Sequence, residues 1–75
     1  MQMIDYKVIG RRIKARRQEA HLTQELVAER ANITTVYLSK IENGHVRPTI
    51  DLLCAICLTL QCDIADILAD ASPVR

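Results

Sequence analysis

Apolar residues return along this chain in the rhythm of helices rather than strands. Between residues 5 and 20 they fall at Val8, Ile9 and Ile13, with Ala20 at the far end, and Asp5 stands where a helix cap belongs. Thr23 opens a second helical stretch, in which Val27, Ala28 and Ala31 share an inward face. Thr34 opens a third, with Leu38 and Ile41 on one face and Ile33 joining them at the entrance. It runs to Asn43 and stops at Gly44. Pro48 and Thr49 introduce a fourth over residues 50–60, and Asp63 caps a short fifth that ends near Leu68. Residues 69–75 show no period and are expected to form a loose tail. The pattern predicts one all-α domain of five helices, with its core from about residue 5 to 68.

Two joints shape that domain. His21 lies between the first and second helices, and Asn32-Ile33 between the second and third. Connections this short must reverse the chain through a positive φ angle, which His and Asn tolerate better than most residues. A two- or three-residue turn makes the second and third helices cross steeply, in helix-turn-helix geometry. Ala28 supplies a small side chain where their backbones would approach.

The third helix then raises a question of chemistry. Opposite Leu38 and Ile41, the steps i+3 and i+4 gather Thr35, Val36, Ser39, Lys40 and Asn43 on one face. Such side chains suit base edges. Valine and threonine methyls fit against the thymine methyl, lysine donates to guanine O6 and N7, and hydroxyls donate or accept. The competing reading is a solvent face with one stray valine.

Composition narrows the picture. Seventy-five residues make one domain, 49% hydrophobic yet with no Phe or Trp, so Leu, Ile, Val, Ala and Cys must fill the core. A chain this small buries only about 60% of its unfolded surface and gains from pairing with something. Net charge is only +1, but it is unevenly spread. Residues 1–47 carry nine Lys/Arg against five acids, about +4, and residues 48–75 carry one against four, −3. That split suggests a surface for an anionic polymer at one end, although a solvated basic helix would look the same. The sequence has no apolar run of membrane-spanning length and no secretory layout at its N-terminus. An odd count of three cysteines argues against a disulfide framework and for a reducing cytoplasm.

The segments IGRRIKARR, LTQELVAERANITTVYLSKIENG and RPTIDLLCAICLTLQCDIADIL, taken in order, give residues 9–68 a resemblance to the Cro/C1-type (XRE, lambda-repressor-like) helix-turn-helix family. The resemblance implies a five-helix domain whose third helix enters the major groove of double-stranded DNA, and a bacterial or phage-type transcriptional regulator, chiefly a repressor. Base contact then maps onto Thr35, Val36, Ser39 and Lys40. Gln24, with Thr23 beside it, and Thr34 at the next helix start are implied backbone contacts, as are Asn43, His45 and Arg47 after the third helix. Tyr37 reads either as a phosphate donor or as packing at the helix edge. Arg17 and Glu42 match a structural ion pair between the first and third helices. Where the family usually has glycine, His21 and Asn32 stand here. Leu26 replaces a common Glu, which removes the reciprocal capping box and leaves an apolar residue near the surface.

The fourth helix departs further. In IDLLCAICLTL only Asp51 and Thr59 are polar. Ile50, Leu53, Cys54, Cys57 and Leu60 are expected in the core, which leaves Leu52, Ala55 and Leu58 where the family commonly has polar residues. A helix apolar all round needs cover on every side. The expectation is a homodimer interface at Leu52, Ala55 and Leu58, which would set two recognition helices on a near-palindromic operator. The alternative is a protein-interaction or antitoxin-like module that holds another protein partner on this helix.

Other chemistry is weakly signalled. Cys54, Cys57 and Cys62 spell C-x2-C-x4-C, but two lie inside a helix and no fourth ligand completes a metal shell, so they are read as core residues. No catalytic set and no phosphate-cradling glycine loop is recognisable, so neither an enzyme nor a cofactor is expected. Two tyrosines are too few to stack single strands.

Overall fold

The computed structural model of the protein describes residues 4–71. The described residues form five helices and no strand: α1 Tyr6–Glu19, α2 Gln24–Arg30, α3 Thr35–Glu42, α4 Ile50–Leu60 and α5 Ile64–Leu68.

The first four helices each begin where a short polar side chain takes a free amide. Asp5 accepts from the Lys7 N–H at 3.0 Å. Thr23, Thr34 and Thr49 each accept from the amide three residues on, at Leu26, Tyr37 and Leu52, at 3.0–3.1 Å. Caps of this kind are worth about 1 kcal/mol apiece. Asp63 precedes α5 without a side-chain cap bond.

The first four helices end alike. His21, Asn32, Gly44 and Gln61 turn into the left-handed region with φ of 58°, 59°, 75° and 57°. The amide of the next residue then reaches back to a carbonyl five positions earlier: Leu22 to Arg17, Ile33 to Ala28, His45 to Lys40 and Cys62 to Cys57, at 2.9–3.1 Å. This closure satisfies the last carbonyls of a helix and reverses the chain in two residues. His21 and Asn32 make the turns their positions predict.

The core runs between α1, α2, α3, α4 and α5 through Ile9, Ile13, Val27, Ala28, Leu38, Ile41, Leu53, Ile56 and Ile67. On α4 the buried stripe is Leu53, Ile56, Cys57 and Leu60, one helical face that starts a turn into the helix. Ile50, expected in the core, therefore stays 55% exposed, Cys54 is only half-buried, and Ile56 is fully buried without having been anticipated. Leu26 is half-buried.

The tail expected to be loose is packed at its start. Ala71 is buried and its carbonyl accepts the Asp5 N–H at 2.6 Å. Arg12 donates to the carbonyls of Ile67 and Ala69, which places a cation where the dipole of α5 is negative. The remainder of that tail, residues 72–75, lies outside the described residues.

Candidate nucleic-acid interface

Two glycine-scale approaches seat α3. At Gly10, inside α1, an added Cβ would lie 2.5 Å from the Glu42 carbonyl oxygen and closer still to that of Ile41. The α1 backbone thus rests directly on the last turn of α3. At Gly44, just after α3, a Cβ would meet the Lys7 Cα at 2.7 Å. Gly44 ends α3 as the sequence predicts, with φ of 75°, whereas nothing in the sequence singles out Gly10. A glycine inside a helical pattern ordinarily reads as a weakness, and only the neighbouring backbone reveals its use.

Behind α3 sits a buried charge. Glu42 is 4% exposed. Its carboxylate accepts from Arg17 Nε at 2.7 Å and Nη2 at 3.2 Å, a bidentate pair, and from Gln24 Nε2 at 3.0 Å. Arg17 Nη1 donates as well to the Leu22 carbonyl at 3.0 Å, in the turn between α1 and α2. One carboxylate so joins three helices. Among the described residues no buried side-chain polar atom lacks a partner. Gln24, expected at a phosphate, spends one amide hydrogen on Glu42 and keeps the other at the start of α2.

The outward side of α3 carries the residues read as base contacts. Val36 is 66% exposed, Lys40 is exposed, and Thr35 and Ser39 are half-buried. Thr23 and Thr34 mark the starts of α2 and α3, where unpaired amides accumulate. Tyr37 is half-buried against the core. Asn43, the C-cap of α3, donates through Nδ2 to the Ser39 carbonyl at 2.9 Å, so its amide folds back on its own helix. His45 and Arg47 are exposed, and the Arg47 guanidinium lies 5.9 Å from the Tyr6 ring centroid, within cation–π range. With Asp5, Lys7 and Gly44 they line an open cavity of about 460 Å3 beside the end of α3. Lys7 brings a further cation there from the first turn of α1, a placement that follows only from the packing of α1 on α3.

On α4 the apolar residues divide. Leu52 and Ala55 are half-buried against the chain's own core, and Leu58 is 80% exposed. Among the described residues no group of three or more His, Cys, Asp or Glu could hold a metal, and no helix is long and apolar enough to cross a membrane.

Two short helices joined by a tight left-handed turn, the second offering a polar face and pinned from behind by the first, define a helix-turn-helix DNA-binding domain. Residues 13–67 match the profile of the helix-turn-helix family. The chain belongs to that family, in its Cro/C1-type branch, whose members are DNA-binding transcriptional regulators rather than enzymes. It is 34% identical over 67 residues to the immunity repressor protein of Bacillus phage phi105, which covers 89% of this chain and 46% of that protein. The present chain thus spans about half the length of that relative. Its fold is similar to the clp gene regulator ClgR from Corynebacterium glutamicum, with a TM-score of 0.85, 25% identity, and 95% of this chain and 91% of that one covered. It is also similar to the P22 c2 repressor solved with a synthetic operator, with a TM-score of 0.77, 27% identity, and 83% and 94% of the two chains covered.

Proposed function

We propose that this chain is a transcriptional repressor that binds a near-palindromic operator as a homodimer, with α3 in the major groove. The observation that carries the proposal is the outward face of α3, held in place by the buried Glu42 junction. Val36 offers its methyls to a thymine methyl, Lys40 donates to a guanine edge, and Thr35 and Ser39 exchange hydrogen bonds with the bases between. Thr23, Gln24 and Thr34 present helix starts to the phosphates, with Lys7, His45 and Arg47 on the other flank. The repressor named among the relatives and the operator complex of a similar fold support this reading. Leu58 and Ile50, both exposed on α4, support pairing of two copies. That pairing would set the two α3 helices about 34–36 Å apart, one turn of DNA. A domain of this kind acts in the cytoplasm.

The test is a gel-shift titration of selected DNA sites across a salt series. Affinity should fall linearly on logarithmic axes, with a slope of about −0.9 per phosphate contacted. Lys40→Ala should weaken the selected site by about 5- to 150-fold and leave random DNA almost unaffected. Binding indifferent to salt would defeat the proposal.

A further inference from the structure

All three cysteines of the chain line one open groove of about 260 Å3 where α4 gives way to α5. Cys54, Cys57 and Cys62 meet Leu58, Asp63 and Ile64 there, away from α3. The way α4 ends sets their geometry. Gln61 reverses the chain at φ 57°, and the Cys62 N–H donates to the Cys57 carbonyl at 3.0 Å. In a closure of this type the two residues joined by the longer backbone bond face one another, commonly as an apolar contact. At the end of α2 those residues are Ala28 and Ile33; at the end of α4 both are cysteine.

The backbone bond also limits their separation. Ordinary bond lengths on either side of a 3.0 Å contact, with the bend of roughly 120° at the carbonyl carbon, hold the two Cα atoms within about 6.9 Å, and the bends at the oxygen and nitrogen bring them closer. Disulfides take Cα separations of about 4.4–6.8 Å. Cys54 and Cys57 are excluded from pairing by helix geometry. Residues three apart on a helix hold their Cβ atoms about 5–6 Å apart, beyond the 3.5–4.5 Å that a disulfide spans.

We propose that Cys57 and Cys62 form a modification site, a thiol pair that a peroxide converts to an intrachain disulfide across the α4–α5 turn. Cys62 is half-exposed and meets the oxidant first. Its sulfur takes one peroxide oxygen as the O–O bond breaks, giving a sulfenic acid and one water. Cys57 is 3% exposed, and burial, reinforced by the Cys62 and Cys54 thiols beside it, pushes its thiol up to about 12. It therefore acts second and slowly. Its sulfur attacks the Cys62 sulfur, the S–O bond breaks, and the Cys57 proton leaves with the hydroxide as a second water. A dithiol reductant reverses the bond by exchange. The closed loop is short, so the staple fixes one turn and leaves the rest of the core as it was.

The experiment uses the full chain, treated with hydrogen peroxide, denatured, labelled with a maleimide and mapped by mass spectrometry. Labelling should fall from three thiols to one, on Cys54, with the Cys57 and Cys62 peptides linked within a single chain. Cys62→Ser, at a half-exposed position, should lose the link, and Cys54→Ser should keep it. Three free thiols after oxidation, a link through Cys54, or links only between chains would each overturn the proposal. The readout involves no DNA, so it stands or falls apart from the repressor reading.

Discussion

Replacing Gly10 with alanine should destabilise the protein, although the same change in an isolated helix would stabilise it. Gly10 lies in the middle of α1, where alanine is favoured over glycine by about 1 kcal/mol. Against that gain stands the backbone of α3. The new Cβ would sit 2.5 Å from the Glu42 carbonyl oxygen and 2.8 Å from its carbon, where carbon–oxygen contacts normally begin near 3.3 Å. Helix carbonyls cannot swing aside as a side chain can, and the Ile41 carbonyl oxygen lies closer still, so α1 and α3 must separate by about 1 Å. A gap of that size forfeits a quarter to a half of the dispersion energy along the seam of Ile9, Ile13, Leu38 and Ile41. Overpacking costs about 1–3 kcal/mol in general, and a clash with fixed backbone belongs at the upper end. The net loss is about 2 kcal/mol, a fall in melting temperature of about 10 °C for a domain of this size. Urea and thermal denaturation of the two proteins followed by circular dichroism would measure it. A Gly10→Ala protein as stable as the parent, or more so, would refute the argument that α1 rests on the carbonyls of α3.

Three other outcomes follow from the same contacts. Glu42→Ala strands the 12%-exposed Arg17 side chain without its partner and should cost about 3–5 kcal/mol in urea unfolding, with Glu42→Gln losing less because the hydrogen-bonded frame survives. Leu58→Glu puts a charge on the 80%-exposed position of α4 and should shift sedimentation at micromolar concentration toward monomer without lowering the melting temperature; unchanged association would remove Leu58 from the pairing surface. Folding raises the Cys57 thiol from 9.0 to about 12, so its contribution to stability is complete below pH 9 and is lost as pH climbs to about 12. The difference in unfolding midpoint between the parent and Cys57→Ala should accordingly shrink across that window, and a constant difference would contradict the burial of the thiol.

The sequence carries the helix starts openly. Thr23, Thr34 and Thr49 are short oxygen-bearing side chains placed just ahead of apolar periods, and all three cap as such residues do. The turns at His21 and Asn32 are legible because few side chains tolerate a left-handed backbone. Gln61 makes the same turn without announcing it, since glutamine has no special affinity for that conformation. On α4 nearly every residue is apolar, which blurs the period, so Ile50 and Ile56 could be ranked only once the neighbouring helices showed which side they cover. The anchoring of Ala69 and Ala71 depends on backbone carbonyls meeting Arg12 and Asp5, and backbone atoms leave no mark in the amino-acid code. The exposed face of α3 was readable from helical spacing. The Arg17–Glu42 pair entered through family resemblance, because residues so far apart in the chain give no local sign of meeting.

Because Glu42 fastens α3 from its inner side, nothing on the outer side is needed to keep the helix where it is. Val36 and Lys40 touch the architecture so little that other side chains could take their places while the domain stayed folded. A lineage built on this plan could change which addresses it reads one residue at a time, keeping its scaffold intact through every intermediate.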